Sequence, residues 1–259
     1  MQLKSFIIIT LLLTSSSLFG QHARFTTSGT IEFEKSSNMH ALIRKLLKNI
    51  TYNEDFYKTA FEQYQKTQPQ FKKLKSTLTF SNDKMLYAPQ AVPVNLTTNN
   101  FFGELPMSAQ YNTIYSDLKT RKRTIQKSAF EETFILKDTT RSIKWKITSE
   151  TREIAGYHCR RANAIIMDSV YVVAFYTDEI PVSGGPESFN GLPGMILGVA
   201  LPHENVTWFA TKVTDVNIAE KTITEPVKGK PLNPKEFIDK ISSVYGESYR
   251  GTAIMAFSL

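Results

Sequence analysis

From Ser76 to Val213 the apolar residues of this chain recur mainly at every second position, in short runs broken by polar turns. A period of two sends successive side chains to opposite faces of an extended backbone, so the runs read as β-strands. They cover Ser76 to Phe80, Met85 to Ala88, Asn112 to Asp117, Arg123 to Lys127, Glu131 to Lys137, Ser142 to Ser149, Arg160 to Met167, Val170 to Thr177, Met195 to Leu201 and Val206 to Val213. Gly29 to Glu34 alternates in the same way upstream. Ser81-Asn82-Asp83-Lys84, Asp138-Thr139-Thr140-Arg141, Asp168-Ser169 and Pro202-His203-Glu204-Asn205 supply turn chemistry between neighbours, which predicts an antiparallel meander. Both parities of Val170 to Thr177 are apolar, so that strand is expected to be covered on both faces.

The period changes to 3.6 in two places before Pro69. Leu42, Ile43, Leu46, Leu47 and Ile50 form one apolar stripe, and Phe56, Tyr57, Ala60, Phe61 and Tyr64 form another. Asn53, followed by Glu54 and Asp55, is expected to cap the second helix. Near the other end, Asn233-Pro234-Lys235-Glu236 has the spacing of a capping box, opening a short helix that Gly246 closes. A Pro- and Asn-rich loop joins Pro89 to Pro106. The expected fold class is therefore mainly β (α+β): a curved antiparallel meander or half-barrel sheet with two or three packed helices.

With 259 residues and 41% apolar content the chain can bury a real core, which excludes disorder and a disulfide mini-scaffold. Lys4, the apolar run Phe6 to Leu13 and a small polar segment ending at Gly20 read as a secretory signal peptide, cut before Gln21 or after Ser17. The run is too short for a transmembrane span, and no Cys follows it to take a lipid. Residues 21–259 are read as one β-rich domain with a helical insertion near 39–66. The expected address is the periplasm or the outer membrane, without a lipid anchor. The lone Cys159 cannot form an intramolecular disulfide and reads as a small buried hydrophobe on a strand. Residues 117 to 161 hold twelve bases and six acids. Their cluster Lys119, Arg121, Lys122 and Arg123 suits either an anionic partner or a solvated sheet face. No nucleic-acid-binding module is visible, so nucleic acid is not an expected partner.

Residues 178 to 197 read DEIPVSGGPESFNGLPGMIL, a density of Gly and Pro that specifies backbone dihedrals rather than floppiness. Leu192-Pro193-Gly194-Met195 fits a type II turn, with Gly194 at positive φ, so Ala there should be costly. The run GLPGMI at 191 to 196, IPVSGGP upstream, EIAGYHCRRA at 153 to 162 and the Trp-containing Lys144-Trp145-Lys146-Ile147 together resemble the GLPGLI family of exported proteins from Bacteroidetes-type bacteria. Met195 and Phe175 depart from the family pattern by apolar exchanges. The resemblance implies a non-cytoplasmic β-rich protein often linked to TonB-dependent outer-membrane receptors. It implies no agreed activity. The loop motif is Pro181, Gly185, Pro186, Gly191, Leu192, Pro193 and Gly194.

Signs of bond-making chemistry are sparse. His22, His40, His158 and His203 sit at no metal-ligand spacing, and the sequence has no GxSxG elbow, phosphate loop or dinucleotide fingerprint. No metal or cofactor is expected. A curled sheet can instead leave an apolar concavity, and Trp145, Tyr176, Phe189 and Trp208 are the candidate ligand or partner contacts, with ordinary core packing as the alternative. The functional expectation is a non-catalytic envelope protein that binds a partner protein or an apolar small molecule, for instance as an accessory to TonB-dependent receptors. The alternative is a hydrolase-type enzyme with an unrecognised site. Burial of Phe189 and Leu192 separates the roles of the loop: inside, it is a structural plug; outside, a docking surface.

Overall fold

The computed structural model describes residues 25–91 and 101–259; the expected signal peptide lies outside them, as does part of the Pro89 to Pro106 loop. Among the described residues twelve strands form one sheet: β1 (Ser28–Asn38), β2 (Phe71–Ser81), β3 (Lys84–Pro89), β4 (Asn112–Asp117), β5 (Lys122–Ala129), β6 (Glu132–Thr139), β7 (Lys146–Ile154), β8 (Tyr157–Ile166), β9 (Val170–Thr177), β10 (Met195–Leu201), β11 (Val206–Asp215) and β12 (Lys230–Leu232). Their spatial order is β12-β6-β5-β4-β3-β2-β1-β11-β10-β9-β8-β7. Every pairing is antiparallel except that of the short edge strand β12, which runs parallel to β6.

Connectivity forces the curvature. β6 and β7 are consecutive in sequence yet stand at opposite ends of an eleven-strand run. Laid flat, that run would be about 48 Å wide at about 4.8 Å per strand. The link between Thr139 and Lys146 reaches at most about 25 Å when fully extended. The sheet therefore curls until its two ends approach. Asp138-Thr139-Thr140-Arg141, which reads as a hairpin turn, is a crossover between those ends, and this corrects the simple meander at one point.

β1 shows how the sheet sorts its residues. Gly29, Ile31, Phe33, Lys35 and Ser37 are buried and the intervening positions are partly exposed. Four helices accompany the sheet among the described residues: α1 (Met39–Leu47), α2 (Glu54–Thr67), α3 (Pro234–Val244) and α4 (Glu247–Ser258). Asn38 caps α1 by accepting from the Ala41 amide, and Asn233 and Glu236 form a full capping box on α3. Asn53 makes no side-chain cap; it takes the left-handed conformation, φ 50°, and turns the chain into α2 instead. Gly246 does not end the last helix but stands at the N-cap of another, α4. α3 and α4 pack onto the sheet through Phe237, Ile241, Ala253 and Phe257, with Phe257 stacked on Tyr111 at 4.8 Å and close to Phe237 and Phe130. β9 is covered on both faces, as its sequence predicts.

Candidate functional site

The Pro/Gly segment between β9 and β10 is an interior structural element. Val182 and Gly184 amides each bond the carbonyl two residues back, the Met195 amide bonds the Ile180 carbonyl, and the Ile196 amide bonds the Gly184 carbonyl. Ile180, Val182, Phe189 and Leu192 are buried, as are Gly185, Pro186 and Gly194; Pro181, Gly191 and Pro193 form the exposed rim. Trp145, half-buried just before β7, donates its indole N–H to the Asn190 carbonyl at 2.8 Å and pins the segment from outside. The expected type II turn is absent. Gly194 does not have positive φ; Gly191 does, at 95°. Gly194 is required for a different reason: a Cβ there would stand 2.0 Å from the Thr177 carbonyl oxygen. Tyr176, Phe189 and Trp208 are each 1% exposed and belong to the core, with the Phe189 and Trp208 rings 6.2 Å apart. Buried Phe189 and Leu192 mark the loop as a plug rather than a docking surface.

The middle of the plug carries a polar group that sequence reasoning does not single out. Glu187 is buried in the left-handed region, φ 50°, a conformation costing a non-glycine residue about 1 kcal/mol or more. Its carboxyl accepts from Asn112 Nδ2 at 2.8 Å. Around it lie Lys35, whose Nζ bonds the Ala109 carbonyl and sits 4.9 Å over the Trp208 ring, and Tyr87, whose phenol burial pushes well above its ordinary range. Burial lowers the Lys35 ammonium to about 8 and that of Lys127 to about 7, with Glu187 opposing both shifts.

Further along the same face, β5 turns Arg123, Ile125, Lys127 and Ala129 inward together. The charges meet the end of α4, whose last carbonyls lack intrahelical partners. Lys127 Nζ donates to the Phe257 carbonyl, Arg141 to that of Ser258, and Ser188 Oγ to that of Leu259. Cations at the negative end of the helix dipole satisfy those groups and lock α4 against the sheet. Lys35, Asn112, Lys127 and Glu187 are not among the site residues that the sequence suggests, and Arg123 enters there only as part of a surface basic cluster, although the charged ones on strands share parity with Ile31, Phe33 and Ile125. Of the basic cluster near the β4–β5 turn, Lys119, Arg121 and Lys122 are exposed and Arg123 is buried. The space beside Lys35, Glu187 and Trp208 is about 10 Å³, room for about one water.

An exposed aromatic surface lies elsewhere, on α2 and the chain at Phe101. Centroid distances of 5.2–6.1 Å connect His40, Phe61, Tyr64, Phe102, Phe101, Phe56, Tyr57 and Tyr52, mostly edge to face. The string begins in the core, where Tyr64 is 7% exposed, and ends in solvent, where Phe56, Phe101 and Tyr52 are 58%, 55% and 63% exposed. Beside it a groove of about 420 Å³ is lined by Met39, Tyr64, Pro69, Phe71 and Gly103, with Lys72 paired to Glu104 at 2.8 Å on its rim. Among the described residues no group of three or more His, Cys, Asp or Glu is placed to hold a metal ion. Cys159 is fully buried and its thiol is pushed up to about 12, chiefly by burial.

The family described as "Protein of unknown function (Porph_ging)" matches residues 165–198, which comprise β9, the plug and the start of β10. No curated protein matches the chain. Among solved structures, PNGF-II aligns over 82% of this chain and 32% of its own in two crystal forms, at 16% and 14% identity and a TM-score of 0.49. The chain thus spans about a third of the PNGF-II length. An uncharacterized conserved protein from Thermus thermophilus aligns over 80% of this chain and 91% of its own, at 5% identity and a TM-score of 0.39. Among the described residues, no helix is long and apolar enough to cross a membrane.

Proposed function

We propose that this chain is a non-catalytic exported envelope protein that binds an apolar segment of a partner protein across the aromatic surface of α2, as an accessory of TonB-dependent receptors. The observation that carries the reading is the string of eight rings running from core to solvent. Rings half or more exposed in one cluster lose apolar hydration on contact, and aromatic anchors dominate binding energies at protein interfaces. The inner end of the string is held by Tyr64 in the core, so the outer rings meet a partner with part of their order already established. The open 420 Å³ groove beside them suits an extended or helical segment better than an enclosed small molecule. The envelope address and the receptor association follow from the GLPGLI resemblance of residues 153–162 and 181–196. The match to a family of unknown function over 165–198 fits that resemblance at the level of the plug alone.

Photo-crosslinking tests the proposal. A photoreactive residue at Phe56 or Phe101, both about half exposed, should trap one partner from envelope extract, whereas the same residue at Val227, 89% exposed and remote in sequence, should not. Phe56→Ser with Phe101→Ser should weaken capture of that partner by about tenfold or more, at about 1–2 kcal/mol per anchor. Undiminished capture by the folded double variant would exclude this surface. A lipid-extract mass spectrum of purified protein showing a retained apolar species would favour the small-ligand reading instead.

A further inference from the structure

The buried cations exceed what capping α4 requires. Lys127 and one nitrogen of Arg141 are occupied by the Phe257 and Ser258 carbonyls. Arg123 is not used in that way. It is 6% exposed, and Nη2 alone is bonded, to Asp138 Oδ2 at 2.9 Å, while its Nε and Nη1 have no partner; Arg141 Nη1 has none either. Asp138 is 39% exposed at the side chain and offers only that one bonded oxygen. Burying a guanidinium without a full set of acceptors is expensive, and two of them in one pocket repel. The repulsion registers on the neighbours: Arg141 is lowered to about 10 by burial and by the Arg123 charge, and both arginines depress Lys127.

Arg123 and Arg141, which carry these N–H groups, are among the residues around a pocket of about 130 Å³ between β4–β6 and the helices α3 and α4. One part of its wall is polar, with Arg123, Arg141 and Lys127 beside Asn112 and the Asp138 carboxylate that pairs with Arg123; Ile114, Ile125, Leu136, Phe237, Ile238 and Phe257 supply most of the apolar part. Fork-shaped donors at one end call for a planar or tetrahedral oxyanion. The branched and aromatic side chains opposite call for an apolar group attached to it. A dry cavity of about 150 Å³ takes one benzene, so the volume here suits an apolar group of about six carbons.

We propose that this pocket is a binding site for an organic monocarboxylate with a short apolar chain or ring, the carboxylate held by Arg123 and Arg141. The site is separate from the aromatic surface of α2 and does not depend on it. A bare phosphate or sulfate would satisfy the guanidinium groups and leave the apolar wall without a partner; a neutral alcohol would do the reverse.

Titration calorimetry and thermal shift with hexanoate, hexanol and inorganic phosphate separate these cases. Hexanoate should bind wild type with a Kd below about 1 mM and raise Tm with concentration; hexanol and phosphate should each bind at least tenfold more weakly. Arg123→Gln, which retains a donor and the approximate shape, should weaken hexanoate by about tenfold or more while leaving hexanol unchanged. Because substitution in the interior can unfold the chain, transferred NOEs from the hexanoate chain to Ile125 and Leu136 methyls are read on wild type. Absence of hexanoate binding to wild type, equal binding of phosphate, unchanged affinity in a folded Arg123→Gln variant, or NOEs to methyls outside the pocket would each overturn the proposal.

Discussion

Gly194→Ala tests the reading of the plug most sharply, because the expected cost has a steric rather than a conformational origin. The new Cβ would lie 2.0 Å from the Thr177 carbonyl oxygen, 2.8 Å from its carbon and 3.1 Å from Asp178 Cα. All three atoms are backbone, so no side chain can swing aside. Either β9 and β10 separate where Met195 pairs with Thr177, or the bond from the Met195 amide to the Ile180 carbonyl is lost. Overpacking a filled interior costs about 1–3 kcal/mol, and a lost backbone hydrogen bond adds about 1 kcal/mol. The expected loss is about 3 kcal/mol, which corresponds to a fall in Tm of about 6–12 °C at this chain size. Gly191→Ala is the control. Its φ of 95° makes Ala strained, but the nearest atom to its Cβ is Trp145 Nε1 at 3.5 Å, so the expected cost is about 1 kcal/mol. Urea unfolding of both variants, compared by midpoint at constant slope, measures the difference. A Gly194→Ala variant within about 0.5 kcal/mol of wild type, or Gly191→Ala the costlier of the two, would refute the close-approach argument.

Stability should rise with pH from about 7 to about 10. Lys127 and Lys35 are lowered to about 7 and about 8, so in that window the unfolded chain holds protons that the folded chain has released, at up to about 1.4 kcal/mol per pH unit for each lysine. The penalty of charging them is complete below the folded values; from about 9 the raised Cys159 thiol opposes part of the rise, and above about 10 the raised Tyr87, Tyr111 and Tyr249 reverse the slope. Urea unfolding as a function of pH should show this rise, and Lys127→Met should flatten it; a falling or level curve in wild type contradicts the buried-lysine picture. Cys159, fully buried with its thiol raised to about 12, should fail to react with a thiol reagent in the native protein at about pH 8 and react at once in urea. Trp145→Phe should cost about 1 kcal/mol, by loss of the bond to the Asn190 carbonyl, with the same denaturation midpoint as the readout.

What could be read from the sequence follows from the range of the interactions involved. Strands with one buried face announce themselves by alternation, and β1 does so cleanly. The capping box of α3 is local chemistry and is found where its residues predict it. The crossover from β6 to β7 is not local: Asp138 to Arg141 has the composition of a hairpin turn, and only the closure of the whole sheet sends the chain to its opposite end. α4 is hard to see because it carries no clean apolar stripe; buried Ala253 and Phe257 accompany a Gly251 and partly buried residues on other sides. Gly194 stands out in the sequence for the wrong reason, since a Gly needed for close approach and one needed for positive φ look the same there. Arg123, Lys127 and Lys35 carry a legible signal in their parity with buried aliphatics, which a surface reading of basic residues obscures. Glu187 offers none, because its placement depends on the path of the plug beneath β4 and the last helix.

The molecule divides into a Pro/Gly plug that is interior scaffold and an aromatic surface at α2 that meets the outside. Hydrogen exchange of the intact protein measures this directly. Amides of Val182, Gly184, Phe189, Met195 and Ile196, all bonded within the plug, should be protected to the extent of those in β1, and the irregular chain at Phe101 and Gly103 should exchange fast. Rapid exchange across residues 180–196 would contradict the division and return the loop to the surface as a docking element.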